Sequence, residues 1–259
     1  MDIKSFDGLF ARLDDLKECA VRGNVGVSAF FSPREEIAAC DYLKRSKTAF
    51  ISFGGYSNAE RRKIYILPDF LEDAESIQSL IDFGFSTKID CVMIKGSGFK
   101  NLSHRDIMGS ILALGIERDA IGDIVMIDDA KAIFFCESRL TVFFEESLER
   151  IGRDKVTLSR IELDESILPE RKTLKINDTV ASARLDCVVA ALCSLSRERA
   201  KEKILSSQVT LNYECEERTD REVIAPATLS IRGVGKFCVL SISDKTKKGR
   251  FRLAAEKFL

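Results

Sequence analysis

The chain has 259 residues, and its 40 Lys and Arg nearly balance 41 Asp and Glu, for a formal net charge of −1. This length suggests one or two ordinary domains, or three small ones, each with a buried core. The charge is unevenly distributed, because 15 basic residues face 10 acidic ones from Ser182 to the end. A near-neutral chain with a basic C-terminal part predicts a scaffold joined to a module that binds an anionic partner.

Several compartments are disfavoured by the same inspection. No run of about 18 apolar residues occurs, and Met1-Asp2-Ile3-Lys4 lacks the apolar core of a secretory signal. The eight cysteines are scattered through apolar stretches without any CxxC pair. In a chain of this length they are typical of buried thiols in the reducing cytoplasm. We therefore expect a cytoplasmic protein with no membrane contact, no metal and no cofactor.

Residues 1–87 are predicted to form a small α/β domain. An opening helix is indicated by Leu9, Leu13 and Leu16, and a second helix begins at Ser32-Pro33-Arg34-Glu35, with a serine cap and a proline at its first position. Strand-like runs at 49–53 and 63–67 flank a polar segment, which predicts a hairpin. Its basic tip, Arg61-Arg62-Lys63, is either a solvated end or a phosphate contact.

Residues 88–170 show a clearer order of elements. Strands are predicted at 89–94, 123–127, 132–136 and 156–163, and helices at 103–114 and 141–151. This β-α-β-β-α-β order is that of a ferredoxin-like sandwich, the architecture of RRM (RNA recognition motif) domains. Because Phe134 and Phe135 are adjacent, only one of them can face outward. That one could stack on RNA, although packing in the core is the simpler expectation.

A basic module follows a polar link at residues 170–173. Its first predicted helix, with Ser182 as candidate cap, has apolar residues at helical spacing: Leu185, Val188, Val189 and Leu192. Ser196 can cap a second helix whose apolar stripe is Ala200 and Ile204. After Gln208 the period changes to two, which predicts strands at 209–213, 230–233 and 236–239.

Two short basic helices followed by a small sheet resemble the S4 (αL-type) RNA-binding domain. The matching residues occur in order: Arg184-Leu185-Asp186, Ser196-Arg197, Ala200, Ile204, Val209 and Asn212. The sequence departs from that family at Ser207-Gln208, where Gly-Lys is usual, and at Pro226-Ala227, where Gly-Asp is favoured. The first departure implies that one phosphate-contacting lysine is missing.

Further motifs resemble the YlmH family of bacterial and plastid S4 proteins. They are Gly54-Gly55-Tyr56-Ser57 with Glu60-Arg61, Gly96-Ser97-Gly98-Phe99 with His104-Arg105-Asp106, Leu114 to Arg118 with Ile121 to Ile124, and Arg232 to Phe237. With the predicted elements, this resemblance implies an α+β chain of three domains: 1–87, a ferredoxin-like (RRM-like) 88–170, and an S4 domain at 171–259. Family members bind the large ribosomal subunit and are implicated in handling subunits that hold a blocked peptidyl-tRNA.

The resemblance implies where RNA would be bound. It places RNA contacts at Arg184, Ser196, Arg197, Lys201 and Asn212, and also at Lys203 and Arg232. Neighbouring basic residues extend this predicted surface: Lys236, Lys247, Lys248 and Arg250. We expect Arg197 and Lys201 on the solvent edge of the second helix, and the expected partners are ribosomal RNA, tRNA and the large subunit, with no small-molecule substrate.

No catalytic constellation is evident from the sequence. His104 is the only histidine, and neighbouring helix residues such as Arg105 and Asp106 point about 100° apart. Gly96-Ser97-Gly98 lacks the spacing of a P-loop, which leaves a loose anion nest open. We therefore predict a non-enzymatic RNA-binding protein. The alternatives are an RNA-modifying enzyme that uses the S4 module to deliver its substrate and, third, a protein-binding adaptor.

Overall fold

The computed structural model describes residues 6–170, 172–246 and 249–258. The chain divides into two compact units, Met1–Pro169 and Glu170–Leu259. The described residues form a mixed α+β fold with three sheets, in agreement with the predicted class. None of the helices in these described ranges is both long and apolar enough to cross a membrane.

The N-terminal part of the first unit contains a three-stranded antiparallel sheet of order β1-β3-β2. Its elements are α1 (Asp7–Val21), β1 (Gly26–Val27), α2 (Pro33–Arg45), β2 (Phe50–Phe53), β3 (Lys63–Ile66) and α3 (Ile77–Asp82). Helix α2 begins as predicted, because Ser32 accepts the Glu35 N–H at 3.4 Å and the Glu35 carboxylate accepts the Ser32 N–H at 2.8 Å. Helices α1 and α2 bury Leu13 and Leu43 against Ile64.

The rest of the first unit forms a five-stranded antiparallel sheet of order β5-β6-β4-β8-β7. Its elements are β4 (Ile89–Gly96), α4 (His104–Ala113), β5 (Ile121–Met126), β6 (Lys131–Glu137), α5 (Thr141–Ser147), β7 (Arg150–Ile151) and β8 (Asp154–Ile161). Both helices pack on one face, where Phe134 meets Phe144 edge-on with ring centroids 5.2 Å apart. The predicted β-α-β-β-α-β order is present, with the short strand β7 in addition.

Helix α5 is shorter than the predicted span of 141–151. It ends at Ser147, and β7 then pairs with β8 through Ile151 and Asp154. The two-residue turn between them requires a left-handed backbone, and Gly152 supplies it with φ 59°. Ile151 is 3% exposed and therefore contributes to the core from a strand.

The N-terminal part covers the second face of this sheet. Tyr56 stacks on Phe135 with ring centroids 5.0 Å apart, and Phe30 and Ile133 join the same buried cluster. Gly55 has φ 102°, and a Cβ at this residue would overlap the ring of Phe135. Residues on both sides of the predicted boundary at 87 therefore share one core, and the separation into two domains stays a prediction.

Where the structure describes the second unit, it contains one six-stranded antiparallel sheet and two helices. Its elements are β9 (Thr173–Val180), α6 (Leu185–Cys193), α7 (Arg197–Leu205), β10 (Val209–Leu211), β11 (Glu214–Cys215), β12 (Ala227–Ile231), β13 (Gly235–Lys245) and β14 (Phe251–Phe258). The strand order is β11-β10-β12-β13-β14-β9. Both helices bury their predicted apolar stripes, for example Val188 and Ile204, against sheet residues such as Phe237.

Three predictions about this unit were wrong. Strand β9 was missed, although it pairs with β14 along its whole length. Ser182 does not cap α6, which begins after Arg184 without a side-chain cap. Tyr213 does not continue β10, because Asn212 and Tyr213 both have positive φ and form the turn to β11.

The prediction that all eight cysteines are buried was also wrong. Only Cys91, Cys136 and Cys187 are buried, whereas Cys19 and Cys215 are exposed. The remaining three are partly buried, and all eight are free thiols.

Candidate nucleic-acid interface

A buried carboxylate organises the start of the helix pair in the second unit. Asp186 lies in the first turn of α6, and its side chain is 0% exposed. It accepts hydrogen bonds from Arg184 Nε at 3.2 Å, Arg184 Nη2 at 3.3 Å and Arg197 Nη2 at 2.7 Å. Burial alone would raise the pKa of Asp186, but these charged donors lower it to about 2. One ionised carboxylate is therefore shared by two guanidinium groups.

Both arginines remain available to an external ligand. Their side chains are 43% and 53% exposed, in the order Arg184, Arg197. A guanidinium has five N–H donors, and among the described residues each arginine bonds through its side chain to Asp186 alone. The hydrogen bond to Asp186 also raises the pKa of both arginines. The cluster thus holds a net charge of about +1 in a fixed geometry suited to phosphate.

Helix α7 presents the two predicted basic edges. Ser196 caps the helix as expected, since its Oγ accepts the Arg199 N–H at 3.3 Å. Arg197 lies at the solvent edge, but its bond to Asp186 gives it a structural role that the sequence did not predict. Lys201, one turn later on that edge, forms no ion pair or hydrogen bond with the other described residues.

Lys203 lies beside the position where the S4 pattern implied a missing lysine. Its Nζ donates to Gln208 Oε1 at 3.1 Å and lies 3.5 Å from the carbonyl oxygen of Arg232. Ser207 has φ 56°, the left-handed conformation for which the family uses glycine. The ammonium group of Lys203 therefore places a positive charge next to Ser207-Gln208, although residue 208 itself is neutral.

The hairpin between β10 and β11 is fixed by Asn212. Its N–H donates to Thr228 O at 2.8 Å, and its Oδ1 accepts the Thr228 N–H at 2.9 Å. Lys236 Nζ lies 5.1 Å from the ring centroid of Tyr213 and 5.7 Å from that of Phe258. Arg232 and Lys236 line the same shallow groove.

Arg250 lies immediately before β14 and is tied to the neighbouring strand β9. Arg250 donates to Thr179 on β9, from Nε to Oγ1 at 2.9 Å and from Nη2 to the carbonyl oxygen at 2.5 Å. Arg197 and Arg250 line one groove. Lys247 and Lys248 lie outside the described residues, so their predicted contacts stay predictions.

The basic hairpin tip in the first unit is committed to internal bonds. Arg61 donates to the carbonyl oxygens of Ile121, Phe30 and Arg118 at 3.0, 2.9 and 3.2 Å. Lys63 is 2% exposed, and its Nζ donates to Glu137 at 2.8 Å and to Ser28 O at 3.0 Å. Arg62 bonds the carbonyl oxygens of Ala59 and Ser57. The tip is therefore neither a solvated hairpin end nor a phosphate contact, because its side chains bond groups within the protein.

Asp123 completes this junction between the two sheets of the first unit. It accepts hydrogen bonds from the hydroxyl of Tyr56 at 2.9 Å and from the backbone N–H groups of Glu60 and Arg61 at 2.6 and 3.0 Å. Some residues of the family motifs therefore stabilise the fold, namely Tyr56, Glu60, Arg61 and Asp123. The alternative in which Phe135 stacks on RNA is wrong, because that ring is 1% exposed beneath Tyr56.

His104, Arg105 and Asp106 form the exposed first turn of α4. Asp106 accepts the Ser103 hydroxyl at 2.7 Å, and Ser103 accepts the Asp106 N–H at 3.1 Å, which is the predicted cap. Among the residues that the structure describes, no group of three or more His, Cys, Asp or Glu side chains could hold a metal ion. The absence of enzymatic activity stays a prediction.

Comparison with known proteins shows what this chain is similar to. Residues 85–165 match the family model described as "Putative RNA-binding domain in YlmH", which indicates an RNA-binding class of protein. A relative from Bacillus subtilis (strain 168), named "Ribosome-associated protein quality control protein P2", is 27% identical over 228 residues, 88% of this chain and 85% of the relative. These matches agree with the resemblance to the YlmH family that the motifs predict.

The chain is also similar to a solved structure. That structure is "Cell division protein ylmH from Streptococcus pneumoniae", with 23% sequence identity and a TM-score of 0.49. The similarity covers 62% of this chain and 93% of that one.

Proposed function

We propose that this protein is a non-enzymatic RNA-binding factor of the cytoplasm that binds ribosomal RNA and tRNA on the large ribosomal subunit. Its task would be ribosome-associated quality control of stalled peptidyl-tRNA. The name of the Bacillus subtilis relative supports this setting, and the family match over residues 85–165 supports RNA as the ligand.

The observation that carries the proposal is the pair of arginines held by Asp186. Phosphate binding by arginine is strongest where the guanidinium is already oriented and two N–H groups can meet one phosphate. Asp186 supplies that orientation from inside the unit, so Arg184 and Arg197 lose little conformational freedom on binding. A buried carboxylate with a single arginine would be neutral, whereas two arginines leave a positive charge for the ligand.

The proposed interface extends from this cluster over α7 and the neighbouring turns. Its residues are Arg184, Ser196, Arg197, Lys201, Lys203, Asn212, Arg232, Lys236 and Arg250, with Lys247 and Lys248 proposed from the sequence alone. Ser196 and Asn212 contribute mainly by fixing the backbone of α7 and of the β10–β11 turn. The basic side chains neutralise phosphates, so binding should weaken steeply as the salt concentration rises.

The decisive experiment reverses two charges that the fold does not need. Neither the Lys201 nor the Arg232 side chain bonds another described residue, so Lys201→Glu with Arg232→Glu should fold normally. We expect this double variant to leave the large-subunit fraction in sucrose gradients at physiological salt. Lys175→Glu with Arg218→Glu is the control, because it makes the same charge change at exposed residues of the same unit outside the proposed interface.

Co-migration of the double variant with the large subunit, equal to that of the native protein, would refute the proposed interface. Crosslinking of the native protein to RNA in cells, followed by sequencing, identifies the bound RNA. Fragments from large-subunit ribosomal RNA and tRNA are expected. Crosslinks confined to messenger RNA would refute the proposed setting.

A further inference from the structure

The middle of the first unit cannot bind RNA as an RRM does. RRM domains stack bases on aromatic side chains that project from the open face of their central strands. In this chain the corresponding face is closed, because Phe135 and Ile133 are buried beneath Tyr56 and Phe30. Residues 85–165 nevertheless match an RNA-binding family model, so a contact in this region requires another surface.

The loop between β4 and α4 presents such a surface at Phe99. This side chain is 93% exposed, more than any other large apolar residue that the structure describes. The turn after Gly98, which has φ 84°, projects it away from the sheet. A solitary exposed apolar residue is ordinary. The anchoring of this loop and its charge distinguish Phe99 from other such residues.

The loop is anchored at both ends. Ser97 donates to the 6%-exposed carboxylate of Asp154 through its backbone N–H at 3.1 Å and through its hydroxyl. The Leu102 N–H donates to Asp129 O at 2.8 Å, and the Leu102 side chain is 7% exposed. Gly96 allows the close approach, because a Cβ there would lie 2.8 Å from Asp154 Oδ2. The fold therefore fixes the segment that presents Phe99.

The charge around Phe99 favours an anionic partner. Lys95 and Lys100 flank the loop, Arg105 follows in α4, and all three are exposed. None of them forms an ion pair with another described residue. The nearby acids are partly engaged, since Asp106 accepts the Ser103 hydroxyl and Asp128 lies 3.7 Å from Lys131. Exposed lysines beside a solvated aromatic ring form the combination that binds single-stranded nucleic acid, by base stacking and phosphate contact.

We propose that Phe99 stacks on an unpaired RNA base while Lys95 and Lys100 contact the adjoining phosphates. This rests on the proposed function and adds to it a second RNA contact, in the first unit and specific for single strands. The same features could suit an acidic protein segment, which the experiment separates from RNA.

The test compares Phe99→Ala, Phe99→Tyr and Phe70→Ala in the full chain. Phe70 is 63% exposed and lies among Asp69, Glu72 and Asp73, so it is another exposed aromatic residue, but in acidic surroundings. The probe is a labelled single-stranded RNA of about 12 nucleotides, and the same sequence as a duplex serves as the second probe. Binding is measured by fluorescence anisotropy, and folding is checked by circular dichroism.

Phe99→Ala should weaken single-strand binding by about 5- to 150-fold, the range expected for loss of one stacked base. Phe99→Tyr and Phe70→Ala should bind as the native chain does, and duplex binding should be unaffected by all three. The double variant Lys201→Glu, Arg232→Glu should instead lose affinity for the duplex. The experiment therefore distinguishes failure of the proposed interface in the second unit from failure of base stacking at Phe99. Native single-strand affinity in Phe99→Ala, or an equal loss for both probes, would overturn base stacking and leave Phe99 to a protein partner.

Discussion

Replacing Asp186 by Asn tests how the proposed phosphate site is built. Asn keeps the size of the side chain but removes the charge that Arg184 and Arg197 share. It also turns one acceptor oxygen into an NH₂ donor that faces other donors. Because both arginines are about half exposed, they can turn to water, and the loss should be smaller than the roughly 3–5 kcal/mol of a fully buried pair.

The magnitude follows from the pKa of Asp186. Its pKa falls to about 2 in the folded protein, against about 3.9 in an unfolded chain, which corresponds to about 2–3 kcal/mol of stability at neutral pH. Because the folded pKa is the lower one, this contribution is complete above about pH 4. It is lost as the pH falls from about 4 towards 2, where the carboxylate becomes protonated in the folded protein as well. For a unit of this size, the expected loss of Tm near pH 7 is about 10–20 °C.

Scanning calorimetry of the full chain, together with urea titrations between pH 5 and pH 2, measures both effects. Glu202→Gln removes an exposed carboxylate from α7 and is the matched control, with little change expected. The difference in stability between the native protein and Asp186→Asn should shrink at the acid end of this range. A difference that stays constant down to pH 2 would show that the charge of Asp186 is not what stabilises the helix pair.

Three other outcomes are expected. Arg61→Ala removes three hydrogen bonds to buried carbonyl groups and should lower the stability of the first unit by about 2–4 kcal/mol in urea titration; a change below about 0.5 kcal/mol contradicts the junction role. Thiol-labelling reagents should modify Cys19 and Cys215 rapidly, whereas burial raises the pKa of Cys136 to about 12 and should leave it unlabelled until the protein unfolds; mass spectrometry of timed samples would reveal early labelling of Cys136. Arg250→Ala should flatten the log–log salt dependence of RNA binding by about 1 unit if the residue contacts one phosphate, and an unchanged slope assigns Arg250 to Thr179 alone.

Local signals in the sequence predicted much of the fold correctly. The caps at Ser32, Ser103 and Ser196 depend on residues within three positions, and all three are present. Strand β9 was missed because its burial hardly alternates, with Leu174 exposed at an edge of the sheet. The strand forms because β14 pairs with it along its whole length. Pairing with a distant strand cannot be predicted from the local sequence of β9.

The partners of the basic residues in the hairpin tip could not be predicted from the sequence, because these residues bond groups far away along the chain. Arg61 reaches carbonyl groups up to 60 positions away in the chain, and Lys63 reaches Glu137, 74 positions away. A cluster of cations on a predicted loop therefore did not reveal whether its charges face water, RNA or the protein itself. Asp186 is a second example. The sequence predicts that it lies in the first helix of the pair, but no local pattern indicates that it accepts a hydrogen bond from Arg197 in the second helix.

Lys203 shows why a motif is better compared in space than along the chain. The sequence pattern counted a lysine as lost, because Gln208 stands where the S4 family usually has one. Helix α7 ends just before this position, and its Lys203 brings an ammonium group within 3.1 Å of Gln208 Oε1. A phosphate responds to the location of a positive charge and not to the residue that carries it. If Lys203 replaces the missing lysine, Lys203→Ala should weaken RNA binding more than Arg199→Ala does. Arg199 is the control, because its side chain is exposed on the same edge of α7. Equal losses of affinity in the two variants would contradict the replacement.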